Sequence, residues 1–183
     1  MKNRKNMMKG FSLVELIVVL MIIAILSAIV GLAWNNWIYR TRISSANSRA
    51  KVIFNAAQTE AIKYSQAERL DPAHGYLSNG DYYFYWNGTT GGFSRTDSQN
   101  ATAFTTGTGK EQANTRKFQT AINRIAGTDG CYKVWIRNYI VQSVTYVPNT
   151  NSNYLGAFPK QQSEPSTIAL TPRSLHTDMT DFT

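Results

Sequence analysis

The stretch KGFSLVELIVVLMIIAIL, residues 9–26, decides how the chain is read. It sets one carboxylate, Glu15, in an apolar run that carries no other charge from Phe11 to Trp34. A charged group at membrane depth costs several kcal/mol, so Glu15 calls for a partner. Leu16 to Ala33 is eighteen uncharged residues, about 27 Å of helix at about 1.5 Å per residue. That length crosses a bilayer core. The leader MKNRKNMMKG holds Lys2, Arg4, Lys5 and Lys9 and no acid. Such a bias keeps it on the cytoplasmic side and points the remainder outward, although Arg40, Arg42, Arg49 and Lys51 after the span weaken the asymmetry. A cleaved secretory signal has a similar composition but a shorter, uncharged core.

The helical pattern does not stop at the membrane. Ala46, Ala50, Ile53, Phe54, Ala57, Ala61, Ile62 and Tyr64 recur mostly at three- and four-residue intervals, one face of a helix. Arg49, Lys51, Asn55, Gln58, Glu60 and Lys63 suit the opposite face. No proline or glycine interrupts Leu32 to Leu70, and Asp71-Pro72 makes a stop, because the residue before proline resists the helical region. Phe11 to Leu70 is therefore predicted as one helix of about 60 residues, about 90 Å long. With 183 residues, the chain has room for one ordinary domain beyond that helix. The formal charge of +8 falls to +4 without the four leader cations, which is unremarkable for a domain. Cys131 is the only cysteine, so an intrachain disulfide and a cysteine-based metal site are excluded.

At this point the residues carry a resemblance. KGFSLVELIVVLMIIAIL resembles the processing and assembly signature of type IV pilins and their pseudopilin relatives. That signature is a short basic leader ending in glycine, then phenylalanine, then glutamate four residues on, then an apolar helix. The match is close over residues 1–35 and in pattern only over 36–70. It implies that a prepilin peptidase cuts between Gly10 and Phe11 and methylates the new amino group. It also implies that Phe11 becomes the mature N-terminus and that Glu15 guides assembly. Pairing the Phe11 ammonium of one subunit with the Glu15 carboxylate of another removes two buried-charge penalties together. Interfacial snorkelling is the plainer reading of Glu15. The chain departs from the pattern in three places: its first proline is Pro72 rather than one within the helix, Cys131 alone cannot close a C-terminal disulfide loop, and nothing after Leu70 matches any one subfamily.

The expected organisation is a cleaved leader (1–10), a transmembrane and assembly helix (11–34), an amphipathic second half of that helix (35–70) and a globular α+β head (71–183). The implied function is a structural subunit of a type IV pilus or related fibre. The alternatives are a minor tip pilin that binds DNA, a surface or another fibre, and a secretion or competence pseudopilin. Implied partners are the prepilin peptidase, copies of the chain and other pilins, the pilus assembly machinery, and the inner or cytoplasmic membrane before assembly. The mature protein would lie in a surface fibre. Nucleic acid as a partner has no motif behind it.

In the head, GDYYFYWNG (80–88) reads as an aromatic strand bounded by turn residues, and 88–107 as a Gly/Thr/Ser-rich surface loop. Thr108 to Glu111 has capping-box spacing. After it Phe118, Ala121, Ile122 and Ile125 share a helix face, and Gly127 can end the helix. CYKVWIR and NYIVQSVTYV read as an antiparallel pair with Tyr132, Val134 and Ile136 toward the core. STIAL (166–170) is a further strand candidate. The fold class is α+β: a long N-terminal helix packed on an antiparallel sheet.

Catalytic chemistry finds little support. His74 and His176 are the only histidines, and His176-Thr177-Asp178 is too short a constellation to specify a site. No nucleophile motif, phosphate loop or metal-ligand spacing occurs, so no enzyme, cofactor or metal is expected. Asn87-Gly88-Thr89 and Asn100-Ala101-Thr102 fit the glycosylation acceptor pattern. Tyr82, Tyr83, Tyr85 and Trp86 present rings that stack on bases or sugars, although strand alternation assigns half of them to the core.

Overall fold

The computed structural model describes residues 11–70, 80–94, 109–148, 152 and 154–163. They form α1 (Leu13–Leu70), β1 (Asp81–Trp86), β2 (Gly91–Ser94), α2 (Gly109–Ala126), β3 (Cys131–Arg137), β4 (Ile140–Val147) and β5 (Gly156–Phe158). The chain divides into two units between Ile38 and Tyr39, and α1 contributes to both.

In the first unit every residue from Phe11 to Gly31 is exposed. The helix there is long and apolar enough to cross a membrane by length and composition. Trp34 and Trp37 follow, both exposed, with ring centroids 5.7 Å apart. Amphipathic rings of this kind belong at a membrane–water boundary.

The second unit is the expected α+β arrangement. Its sheet runs β2-β1-β3-β4-β5, and every pairing is antiparallel. The α1 stripe holds: Ala46, Ala50, Ile53, Ala57 and Ala61 are buried against Phe84, Tyr132, Val134 and Val144 of the sheet. Alanine at so many seam positions lets helix and sheet backbones approach closely. Ile43 and Ala56 are also buried, whereas Ile62, expected on the stripe, is exposed.

Tyr132, Val134 and Ile136 face this core as expected. A β-bulge refines the pattern in β4. Trp135 pairs with Ser143 but Ile136 pairs with Val141, so Gln142 is the extra residue. Val141 and Val144 therefore share the core face despite being three residues apart. The hairpin between β3 and β4 turns on Asn138 (φ 51°) and Tyr139 (φ 66°), the two positive-φ positions of a tight turn whose twist matches the strands. Asn138 and Tyr139, expected within the second strand, are thus the turn itself. Gln58 of α1, assigned to the solvent face, straddles it. Its Nε2 donates to the Tyr139 carbonyl at 3.2 Å and its Oε1 accepts from the Val141 N–H at 2.8 Å.

The loop expected over 88–107 contains β2. A tight turn at Asn87 to Thr90 folds the chain back: Asn87 Oδ1 accepts the N–H groups of Thr89 and Thr90 at 2.9 and 2.8 Å. Gly91 fits because Phe84 fills the space of a side chain there, 2.7 Å from where a Cβ would stand. In α2, Phe118, Ile122 and Ala126 are buried, but Ile125 is 55% exposed; the true face repeats strictly every four residues. Gly127, at φ 81°, ends the helix by donating to the Asn123 carbonyl at 2.8 Å. The Asp71-Pro72 stop, the Thr108 cap and the 166–170 strand lie outside the described residues.

Candidate functional site

Phe11 is 85% exposed at the start of the described chain; Gly10, the other half of the expected cleavage bond, lies outside it. Ser12 caps α1. Its Oγ accepts from the Val14 N–H at 3.3 Å, and its carbonyl from Leu16 at 3.2 Å. Glu15 completes a capping box, Oε2 accepting the Ser12 N–H at 3.2 Å. Its signal in the sequence is Ser12-x-x-Glu15. A carboxylate in the first turn also opposes the positive end of the helix dipole. The geometry holds a negative group one turn from the residue that cleavage would convert into an ammonium.

The four aromatic candidates of the head are not brought together. Tyr82 and Trp86 belong to the core facing α1, and Trp86 Nε1 donates to the Thr128 carbonyl at 3.3 Å. Tyr85 is buried on the opposite sheet face beside Cys131 and Val147. Burial raises the pKa of its phenol and that of the Cys131 thiol, so neither is a ready nucleophile.

Tyr83, half-buried, enters a ladder that sequence reading missed. Its ring stacks on Trp135 at 6.2 Å, Lys133 Nζ lies 5.3 Å from the Tyr83 centroid, and the Arg137 guanidinium lies 4.8 Å from that of Trp135. Asp81 closes the end. Its Oδ1 accepts from Trp135 Nε1 at 2.9 Å and from Arg137 Nε at 2.6 Å, and its Oδ2 from Arg137 Nη2 at 3.0 Å. The Arg137 hydrogen bond holds the Asp81 carboxyl below the usual range, against a smaller opposing effect of burial. Only the β1–β3 register, with Asp81 opposite Arg137 and Tyr83 opposite Trp135, discloses the cluster. Among the described residues no three His, Cys, Asp or Glu side chains converge as a metal site. His74 and His176 lie outside those residues.

An apolar helix long enough to cross a membrane, whose only charge from Phe11 to Trp34 is a capped glutamate, thus leads into an α+β head. The family model for the prokaryotic N-terminal methylation motif matches residues 5–31, and this is the type IV prepilin signature. The match covers 27 of the 183 residues, and the motif it carries is one that indicates a type IV pilin-like or pseudopilin precursor. The motif implies processing by a prepilin peptidase and assembly with other pilins, and it points to a structural, non-enzymatic protein anchored in a membrane before it reaches a surface fibre. No curated protein and no solved structure matches the chain.

Proposed function

We propose that the chain is a structural subunit of a type IV pilus or pilus-like fibre, cleaved between Gly10 and Phe11 and polymerised through α1. In this reading residues 1–10 are the leader, 11–34 the membrane and assembly segment, 35–70 the half of α1 that carries the head, and 71–183 the remainder of that head. The observation that carries the reading is Glu15, the one charge between Phe11 and Trp34, four residues after Phe11.

The mechanism is electrostatic. Cleavage leaves an ammonium on Phe11 in an apolar phase, where attraction between unit charges is several times stronger than in water. A neighbour's Glu15 satisfies that charge only at the correct stagger, so the pair selects the register as well as stabilising the contact. The exposed apolar surface of residues 13–30 supplies the non-directional part of the association. In membrane the lipid covers this surface; in the fibre other copies do.

Mass spectrometry of sheared surface material tests the proposal. It should find the chain as a major component, beginning at an N-methylated Phe11. A mature terminus near residue 28 or beyond would make the apolar segment an ordinary signal and overturn it.

A further inference from the structure

Arg42 and Arg49 are seven residues apart on α1, two turns and about 10 Å along one face. Beside them opens a cleft of about 920 Å³, bounded by Tyr39, Ser45, Tyr146 and Tyr154. That volume is in the range of small-ligand sites. Arg42 Nη1 donates to the Tyr154 hydroxyl at 3.2 Å, and its guanidinium lies 5.3 Å from the centre of the same ring. Tyr39 flanks Tyr154 with ring centroids 5.9 Å apart. Arg49 is half-buried, and its Nη2 is 3.2 Å from where a Cβ on Gly127 would stand. The carbonyl end of α2 thus favours its charge, yet among the described residues no acceptor or carboxylate engages its donors.

We propose that this cleft binds an acidic oligosaccharide. Arg49 takes one carboxylate through its planar fork, a geometry that matches carboxylate oxygens two at a time. Arg42, aimed by Tyr154, meets a second acidic group further along α1. Tyr39 and Tyr154 both line the cleft, and the ring surface that Arg42 and their mutual contact leave uncovered takes sugar rings. The Ser48 hydroxyl donates to the Ser44 carbonyl at 2.9 Å and so offers its lone pairs to sugar hydroxyls. Two guanidinia in a concave cleft suit a short ligand with spaced charges. A nucleic acid strand draws its affinity from many phosphate contacts along a basic track. The site lies wholly on residues 39–154 and does not depend on polymerisation.

Titration calorimetry of the full chain in detergent micelles, at low ionic strength, decides the matter with tetragalacturonate as probe and maltotetraose as its neutral counterpart. Tetragalacturonate should bind, and maltotetraose at least about tenfold more weakly. Arg49→Gln should weaken tetragalacturonate by about tenfold or more, while Arg124→Gln, an exposed cation of α2, leaves it unchanged. If Arg49→Gln fails to fold by circular dichroism, Arg42→Gln, at an exposed position, carries the same expectation. No binding of tetragalacturonate, equal binding of the neutral sugar, or an equal loss from Arg124→Gln overturns the site. Tighter binding of a short oligothymidylate overturns the ligand class.

Discussion

Glu15 holds one carboxylate to two arrangements. In the single chain it accepts the Ser12 N–H at 3.2 Å; in the proposed fibre the ammonium of a neighbour's Phe11 joins it. A carboxylate has about four acceptor sites, so the two are compatible, and mutations separate them. Ser12→Ala removes the cap at a cost of about 1 kcal/mol and leaves the charge. Glu15→Ala removes the charge and the bond to the Ser12 N–H while the Ser12 Oγ cap stays, and Glu15→Gln keeps a hydrogen-bonding group without charge. Fibre yield after shearing should stay near normal for Ser12→Ala and collapse for both Glu15 variants, with processed subunit present in the membrane of all three. Normal yield from Glu15→Ala would reduce Glu15 to a helix cap. Asn47 is the corresponding residue of the head. At 5% exposure it donates to the Gln162 carbonyl at 2.8 Å and accepts from the Ala157 and Gln162 N–H groups at 2.9 and 3.2 Å. Asn47→Ala strands three backbone groups and should cost about 2–4 kcal/mol, read as the shift in urea midpoint of the detergent-solubilised chain at constant m-value.

Elements show where a sequence pattern suffices and where contacts decide. β1, β3 and β4 are long aromatic and β-branched runs, and α2 carries its own apolar face; each was legible. GGFS of β2 and GAF of β5 have no such signal. They are strands because a turn and a neighbouring ladder place their backbones, and in β5 because Asn47 fastens the edge. The Arg42–Arg49 cleft was hidden for a related reason, since Tyr154 lies 112 residues from Arg42. Glu15 was legible because it stands alone. Gly156 makes a sharp test of β5: a Cβ there would lie 2.1 Å from the Ala46 backbone. Gly156→Ala should push the strand from α1 and lower stability by about 1–3 kcal/mol, with protection of the Ala157 amide against hydrogen exchange lost first. The β1–β3 pair adds a pH test. A lowered Asp81 pKa means that the ion pair's contribution is complete above pH about 4 and is lost as pH falls through the folded value. Asp81→Asn should flatten the acid limb of the melting-temperature profile. At neutral pH it should cost under about 1 kcal/mol, because the pair is partly solvated.

The whole molecule is built for two surroundings. From Phe11 to Gly31 it exposes its side chains, apolar ones above all, which suits lipid or other copies and not water. From Ile43 onward α1 contributes to a core that also contains β1, β3, β4 and α2. Between the two lies the division at Ile38 and Tyr39. Among the described residues, no buried side chain precedes Ile43. Removing residues 1–34 therefore takes nothing described from the core, while it removes the surface that compels a membrane or a polymer. A chain beginning at Asn35 should be soluble without detergent. It should unfold in one cooperative transition, with a melting temperature within a few degrees of the full chain's head transition, because the lost residues supply little of the burial that sets stability. Its circular dichroism should combine helix and strand. Lacking Phe11 and Glu15, it should remain monomeric at concentrations where processed full-length subunit polymerises. Aggregation, or a broad transition without near-ultraviolet dichroism, would mean that the head needs the first half of α1 to fold.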